Sequence, residues 1–325
     1  MKKHFLIFFF LFFVWTSCGN STKPSASASM DDDFEVLEER LPIADPYILF
    51  YEDCYYAYGT NARGFEVYTS TDLKHWRRNL QLALSPEDSW GHKGYWAPEV
   101  YYVESLKKFY MFYTVNEQVC VAVSDSPEGP FVQDVKQPLF GGEKNIDPSL
   151  FIDSDGKAYL YFVCFTGGNV IWCAEMNPDL KSLKEETLTR CIEAQDEWER
   201  RQATVAEGPS VLKRNGTYYL LYSANHFESK DYAVGYATSD SPFGPWKKYS
   251  GNPVLRRDAD WTERLSGTGH GAPFVCKDGS YKYVFHAHAS EEKVQPRSSY
   301  IKELTLSEEG IISIHGTVIR PVVVK

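Results

Sequence analysis

The 325-residue chain contains no C-x-x-C pair, no glycine-rich phosphate loop, no dinucleotide fingerprint and no G-x-S-x-G elbow. Those absences exclude a cysteine-paired zinc site, nucleotide chemistry of the common kinds and an α/β-hydrolase nucleophile. Positive charge is also short, with 34 Lys and Arg against 44 Asp and Glu and a net charge of −10. A nucleic-acid partner needs a basic footprint, so none is expected. No stretch reaches the ~18 apolar residues that a membrane-spanning helix needs. Helical periodicity is missing apart from a weak stretch near 181–201, which argues against helical bundles and coiled coils. Disorder is excluded in turn, because 43% of the residues are hydrophobic.

Aromatic residues are abundant: 22 Tyr, 20 Phe and 8 Trp, or 15% of the chain. Such rings favour strands, and exposed ones make stacking platforms for sugars. The N-terminus is set aside before fold reasoning. Lys2, Lys3 and His4 precede an apolar run from Phe5 to Trp15, then Thr16, Ser17 and Cys18. That is the layout of a secretory signal, and small residues directly before a cysteine resemble a bacterial lipoprotein signal. The expected organisation is a signal peptide over 1–17, acylation at Cys18, a flexible tether over 18–33 and one domain over 34–325. The expected location is the cell envelope, on the periplasmic side or the cell surface, with the lipid as the one membrane contact. The other six cysteines lie mostly in apolar strand-like runs and are expected to be free thiols, although Cys164 and Cys173 could face each other across a short hairpin.

A repeat sets the architecture. A small or acidic residue, a proline and an apolar run recur at Asp45-Pro46, Ala97-Pro98, Asp147-Pro148, Gly208-Pro209 and Ala272-Pro273, with prolines 52, 50, 61 and 64 residues apart. Each is followed by a polar turn and an aromatic strand: YYAYGT (55–60), FYMFYT (109–114), AYLYF (158–162), YYLLYS (218–223) and YKYVF (281–285). A third strand ends each unit, with room for a fourth. Five such units at this spacing predict an all-β, five-bladed β-propeller, with each first strand lining the central channel. The residues beside the prolines then converge on one mouth. Asp45, Asp147, Glu207 and His270 stand among them, and charges gathered there are costly unless paired or functional.

Two carboxyl groups facing each other across a sugar are the working parts of most glycosidases, and a third can raise the acid's pKa. The ordered set ADPYI, WAPEV, IDPSLF, AEGPSV and GTGHGAPF resembles glycoside hydrolase family 43, over roughly residues 40–307. The resemblance implies an inverting, exo-acting glycosidase without a required cofactor, active at one mouth of the channel. Its substrate would be a plant-type poly- or oligosaccharide, foremost a terminal α-L-arabinofuranoside, then a β-D-xyloside, with arabinan or galactan behind. It also implies Asp45 as general base, Glu207 as general acid and Asp147 as the residue that tunes the acid. His270 would hold a water or a Ca²⁺ ion on the axis, and Arg297 would bind substrate. By position, Trp96 is the first choice for the sugar floor, with Trp90, His92, His226 and Phe227 as further candidates. The competing reading is a non-catalytic glycan-binding lipoprotein on the same scaffold, and three costly acids at one pole argue against it. Asp153-Ser154-Asp155-Gly156 reads as a hairpin turn rather than a calcium loop, and His286 with His288 lacks a third metal ligand. Oligomeric state is left open.

Overall fold

Each aromatic run is a second strand whose two faces are both covered, which is why Tyr, Phe and small apolar residues alternate without a polar side. A computed structural model describes residues 39–257 and 262–324; the expected signal over 1–17, Cys18 and the tether over 18–33 lie outside them. The described chain forms the five blades of a β-propeller. Blade 1 holds Ala44–Tyr51, Cys54–Thr60, Tyr68–Ser70 and His75–Arg78. Blade 2 holds Trp96–Val103, Lys108–Val115 and Gln118–Ser124. Blade 3 runs from Asn145–Ile152 to Thr189–Glu193, blade 4 from Ala206–Arg214 to Lys247–Lys248, and blade 5 from Gly269–Val275 to Ile312–Ile319. The ring closes on the outer edge of blade 1. There Val322–Val323 runs parallel to His75–Arg78, and Glu39–Arg40 pairs with Val322–Val323.

Five apolar clusters pack the ring, one between each pair of neighbouring blades. In blade 2, Tyr110 and Phe112 join the cluster shared with blade 3, whereas Phe109, Met111 and Tyr113 join the one shared with blade 1. This is the period-two alternation of a strand buried on both faces. Most of the aromatic excess is therefore blade-to-blade core, and Tyr58, Tyr113, Tyr161, Tyr222 and Tyr283 are fully buried in it.

Every first strand carries a bulge at the channel mouth. Ladder register slips between Ala44 and Tyr47, Trp96 and Glu99, Glu207 and Ser210, and Gly269 and Ala272, and likewise in blade 3 around Asp147. The residue entering each bulge is left-handed: Asp45 (φ 51°), Ala97 (43°), Asp147 (55°), Gly208 (55°) and His270 (40°). This corrects the expected repeat in blade 5. The counterpart of Xaa-Pro there is His270-Gly271, and Pro273 lies two residues further on, paired with Tyr283.

Two weaker signals of the sequence are not realised. The stretch near 181–201 is not helical; it forms two 3₁₀ turns, Glu185–Thr187 and Glu197–Glu199, around the strand Thr189–Glu193. Cys164 pairs with Val170 and Cys173 with Tyr161, so those two cysteines do not face each other. All six cysteines of the described chain are free thiols.

The second of these turns is stapled to blade 4 by Glu199, which is fully buried. Its carboxylate accepts from the Gln195 and Asp196 N–H groups (2.6 and 2.8 Å), from Tyr222 Oη (2.5 Å) and from Lys248 Nζ (2.6 Å). Removing one partner of a buried pair strands the other. Glu199→Ala is expected to cost about 3–5 kcal/mol of stability, seen as an earlier midpoint in denaturant unfolding.

Candidate active site

The left-handed bulges aim Asp45, Asp147 and His270 at the axis, and Glu207 stands one residue before its own bulge. Asp45, Asp147, Glu207 and His270 all line one cavity of about 400 Å³ at the channel mouth. Trp96 and Arg297 line it too, with Phe227 and His226. The walls come from the junctions between second and third strands: Glu117 in blade 2, the strand ends Phe165 and Asn169 in blade 3, His226 and Phe227 in blade 4, and Gln295 and Arg297 in blade 5. His92 is not brought there. It is exposed, with its N–H on Asn116 Oδ1 (3.4 Å). Trp90 packs against the core between blades 1 and 2, its N–H held by Gln133 Oε1 (2.9 Å).

Asp45 is wrapped by cations and donors. Arg297 Nη1 donates to Oδ1 at 2.8 Å and Nη2 to Oδ2 at 3.4 Å, a two-pronged pair. Thr60 Oγ1 donates to Oδ2 at 2.5 Å, and His270 Nδ1 lies 3.4 Å from Oδ1. Burial pushes the Asp45 carboxyl up, but the Arg297 guanidinium, with smaller help from His270 and His286, holds it well below the usual carboxylate range. Asp45 is therefore ionised at neutral pH.

Glu207 has the opposite environment. Burial raises its carboxyl to about 7, and the Asp45 charge adds to that. Two donors work against the rise: Tyr232 Oη reaches Oε1 at 2.7 Å and Asn169 Nδ2 reaches Oε2 at 2.8 Å. Asp147 is also pushed up, by burial and then by the Glu207 and Asp45 charges, while the Gly208 N–H on its Oδ2 (3.2 Å) pulls it down. Two carboxylates this close cannot both ionise freely, so Asp147 and Glu207 share a proton across the neutral range. Opposed environments of this kind sort carboxyl groups into bases and acids.

The sequence shows no site role for Tyr232, and it offers His286 only as half of a metal pair. His286 is fully buried; its Nδ1 accepts the Asp45 N–H (3.2 Å) and its Nε2 lies 3.3 Å from Arg297 Nη1. Burial lowers its pKa to about 3, so the ring is neutral. It stacks on Tyr232 at 5.7 Å between centroids. Gly269 leaves room for this: a Cβ there would lie 2.4 Å from the Tyr232 ring. His288 is no metal partner to His286, because its Nε2 bonds the Phe227 carbonyl (2.8 Å). Phe227 in turn lies against His226 (4.8 Å) and under the Arg297 guanidinium (4.9 Å).

Beneath the mouth, Tyr47, Glu99, Asp147 and His270 line an axial cavity of about 10 Å³, room for about one water. Among the described residues no three His, Cys, Asp or Glu side chains converge as metal ligands. A Ca²⁺ ion beside His270, which takes six to eight oxygens, would therefore draw most of them from water.

The sequence profile of glycosyl hydrolases family 43 matches residues 37–312. A solved structure described as an endo-1,4-β-xylanase of Bacteroides thetaiotaomicron is 60% identical, with a TM-score of 0.86 over 89% of this chain and 99% of that one. A β-D-galactofuranosidase of Aspergillus niger is 27% identical, over 83% of this chain and 81% of its own. A β-xylosidase of Xylanibacter ruminicola is 31% identical, over 69% and 75%.

The Tyr232 hydroxyl stabilises the charged form of Glu207. Tyr232→Phe is therefore expected to raise the Glu207 titration midpoint by about one unit, read by carboxyl ¹³C NMR on the unliganded protein.

Proposed function

The chain belongs to glycosyl hydrolases family 43 and is a glycosidase; on that premise we propose that it is an inverting, exo-acting enzyme that removes terminal pentosyl residues from plant-type polysaccharides or oligosaccharides. The observation that carries this reading is one cavity with Asp45 held ionised and Glu207 held up to about 7. In the proposed reaction Asp45 takes a proton from a water as its oxygen bonds the anomeric carbon. Glu207 gives its proton to the departing glycosidic oxygen as that bond breaks. Asp147 carries negative charge beside Glu207 and keeps the acid protonated. Direct water attack from the opposite face inverts the anomer. None of these steps passes through a metal ion.

The substrate assignment rests on the names of the relatives and on the shape of the site. A pocket of about 400 Å³ walled by Trp96, Phe165 and Phe227 suits the end of a chain better than its middle, which supports exo action. α-L-Arabinofuranosides and β-D-xylosides are the proposed substrates. Arg297 Nε is buried with no partner, which supports donation from it to a sugar hydroxyl. Trp96 and Phe227 supply ring faces for the sugar. Export with acylation at Cys18 is part of the proposal, on the sequence pattern of residues 2–18. A labelled fatty acid fed to expressing cells should mark the wild type and not Cys18→Ala.

The catalytic roles separate by leaving group. Asp45→Asn should lower kcat about 10²–10⁴-fold on aryl glycosides and oligosaccharides alike. Glu207→Gln should lose comparable activity on oligosaccharides but much less on a nitrophenyl glycoside, whose leaving group needs little protonation. Equal losses for both variants on both substrates would reject the assignment, and a retained first-formed anomer by ¹H NMR would reject direct water attack.

A further inference from the structure

Four of the five left-handed residues share a second feature. In four of the five blade junctions, the N–H of that residue donates to a side chain at the end of the preceding blade's second strand. Thr60 Oγ1 accepts from Ala97 (3.0 Å), Thr114 Oγ1 from Asp147 (3.0 Å), Ser223 Oγ from His270 (2.7 Å) and His286 Nδ1 from Asp45 (3.2 Å). These four acceptors hold one ladder position, opposite Ala44, Trp96, Glu207 and Gly269. In blade 3 that position, opposite Ile146, is Val163. Val163 is fully buried and has no acceptor. The fifth N–H, that of Gly208, goes instead to Asp147 Oδ2 at 3.2 Å.

We propose that Val163 is a positioning residue: by offering no acceptor where the other blades present one, it leaves the Gly208 N–H to Asp147 and so fixes that carboxylate beside Glu207. A buried N–H must find a partner, and with Val163 silent the nearest is the carboxylate. The hydrogen bond favours charge on Asp147 and so biases the shared proton toward Glu207, against the Tyr232 and Asn169 donors that favour charge on Glu207. The other groups facing Asp147 are Asp45, Glu99 and His270, whose Nδ1 lies 3.9 Å from Oδ2. The Gly208 N–H itself goes to Asp147 Oδ2 and to none of these three. The inference rests on the acid and tuning roles proposed above for Glu207 and Asp147.

Val163→Thr restores the missing acceptor, and Val163→Ser does so with the residue that blade 4 uses. Either hydroxyl is expected to capture the Gly208 N–H. Asp147 then binds its proton more tightly and Glu207 less tightly. Carboxyl ¹³C NMR should show the Glu207 midpoint lowered and the Asp147 midpoint raised. On an aryl arabinofuranoside or xyloside, the alkaline limb of kcat/KM should move to lower pH. On the corresponding oligosaccharide kcat should fall about tenfold, with KM within about twofold. Val163→Ala leaves a cavity without an acceptor, so it should lower the melting temperature and leave both midpoints in place. Unchanged midpoints in both the Thr and Ser variants overturn the inference, as does a Val163→Ala shift equal to theirs. If the midpoints move as stated but the wild type cleaves neither glycoside, the functional reading fails and the positioning by Val163 stands.

Discussion

Left-handed backbone at the mouth of the channel is the constraint on which the site depends. Asp45, Ala97, Asp147 and His270 adopt it without being glycine, at a cost of about 1–3 kcal/mol each. The closed ring holds them there: each bulge is pinned by its own ladder on one side and by a side chain of the preceding blade on the other, from that blade's second strand at four junctions and from Asp147 at the fifth. A bulge re-aims the side chain it carries, and five of them at one level point inward together. The chemistry then depends on which residue each blade places at that level. Gly208 is the one without a side chain, and a Cβ there would press to 2.9 Å from the His270 ring. Removing that Cβ lets His270 reach between Asp45 and Asp147.

The same geometry explains how three acids share so small a space. Asp45 keeps its charge because Arg297 and Thr60 bind both of its oxygens. Among the described residues no Lys or Arg contacts Asp147 or Glu207 directly, so burial and mutual repulsion retain a proton between them. Arg297 is held in place on both sides, by the Phe227 ring and by Asp45. His288 locks the Phe227 backbone from behind. Tyr232 and His286 link the two sides of the site, with one bonded to Glu207, the other to Asp45, and their rings stacked. These neighbours set the protonation states on which the proposed roles depend.

Much of this is legible in the amino-acid sequence. The proline spacing and the aromatic runs specify five blades, because a strand buried on both faces must be apolar on both. Asp45, Asp147, Glu207 and His270 were legible for the same reason, since their place in the repeat is their place on the axis. Blade 5 misled the register because Gly271 fills the bulge position that proline fills elsewhere, and Pro273 is a false echo. The acceptors Thr60, Thr114 and Ser223 were visible as the polar ends of YYAYGT, FYMFYT and YYLLYS, a signal that goes unread unless one asks where the next blade's N–H groups bond. Phe165, Asn169 and Tyr232 had no such signal. Phe165 and Asn169 are strand ends that flank a turn, and Tyr232 lies just before the strand Ala233–Ser239; at such junctions no repeat motif marks which side chain faces the pocket, and the same lack of pattern made His92 look closer to it than it is.

Glu99 completes the charge count of the mouth. It occupies the layer below the bulges, with its carboxyl raised by burial to about 8 and hydrogen-bonded to Tyr101. At neutral pH it is mostly uncharged and adds little to the anions above it. His270 and His286 are held neutral by burial. The charges that remain are Asp45 and Arg297, which offset each other, Glu117 on the wall, which is paired with Lys144, and the single negative charge shared by Asp147 and Glu207. The resting site is thus anionic by about one charge. Glycoside cleavage builds positive charge on the sugar ring as the leaving bond stretches, and fixed charge placed before the reaction stabilises it without reorganisation. An ionised Glu99 would add a second anion under Asp147, draw the shared proton on to it and deprive Glu207 of its acid form. Keeping Glu99 neutral therefore serves the acid as directly as the Gly208 N–H does, one by withholding a charge and the other by stabilising one.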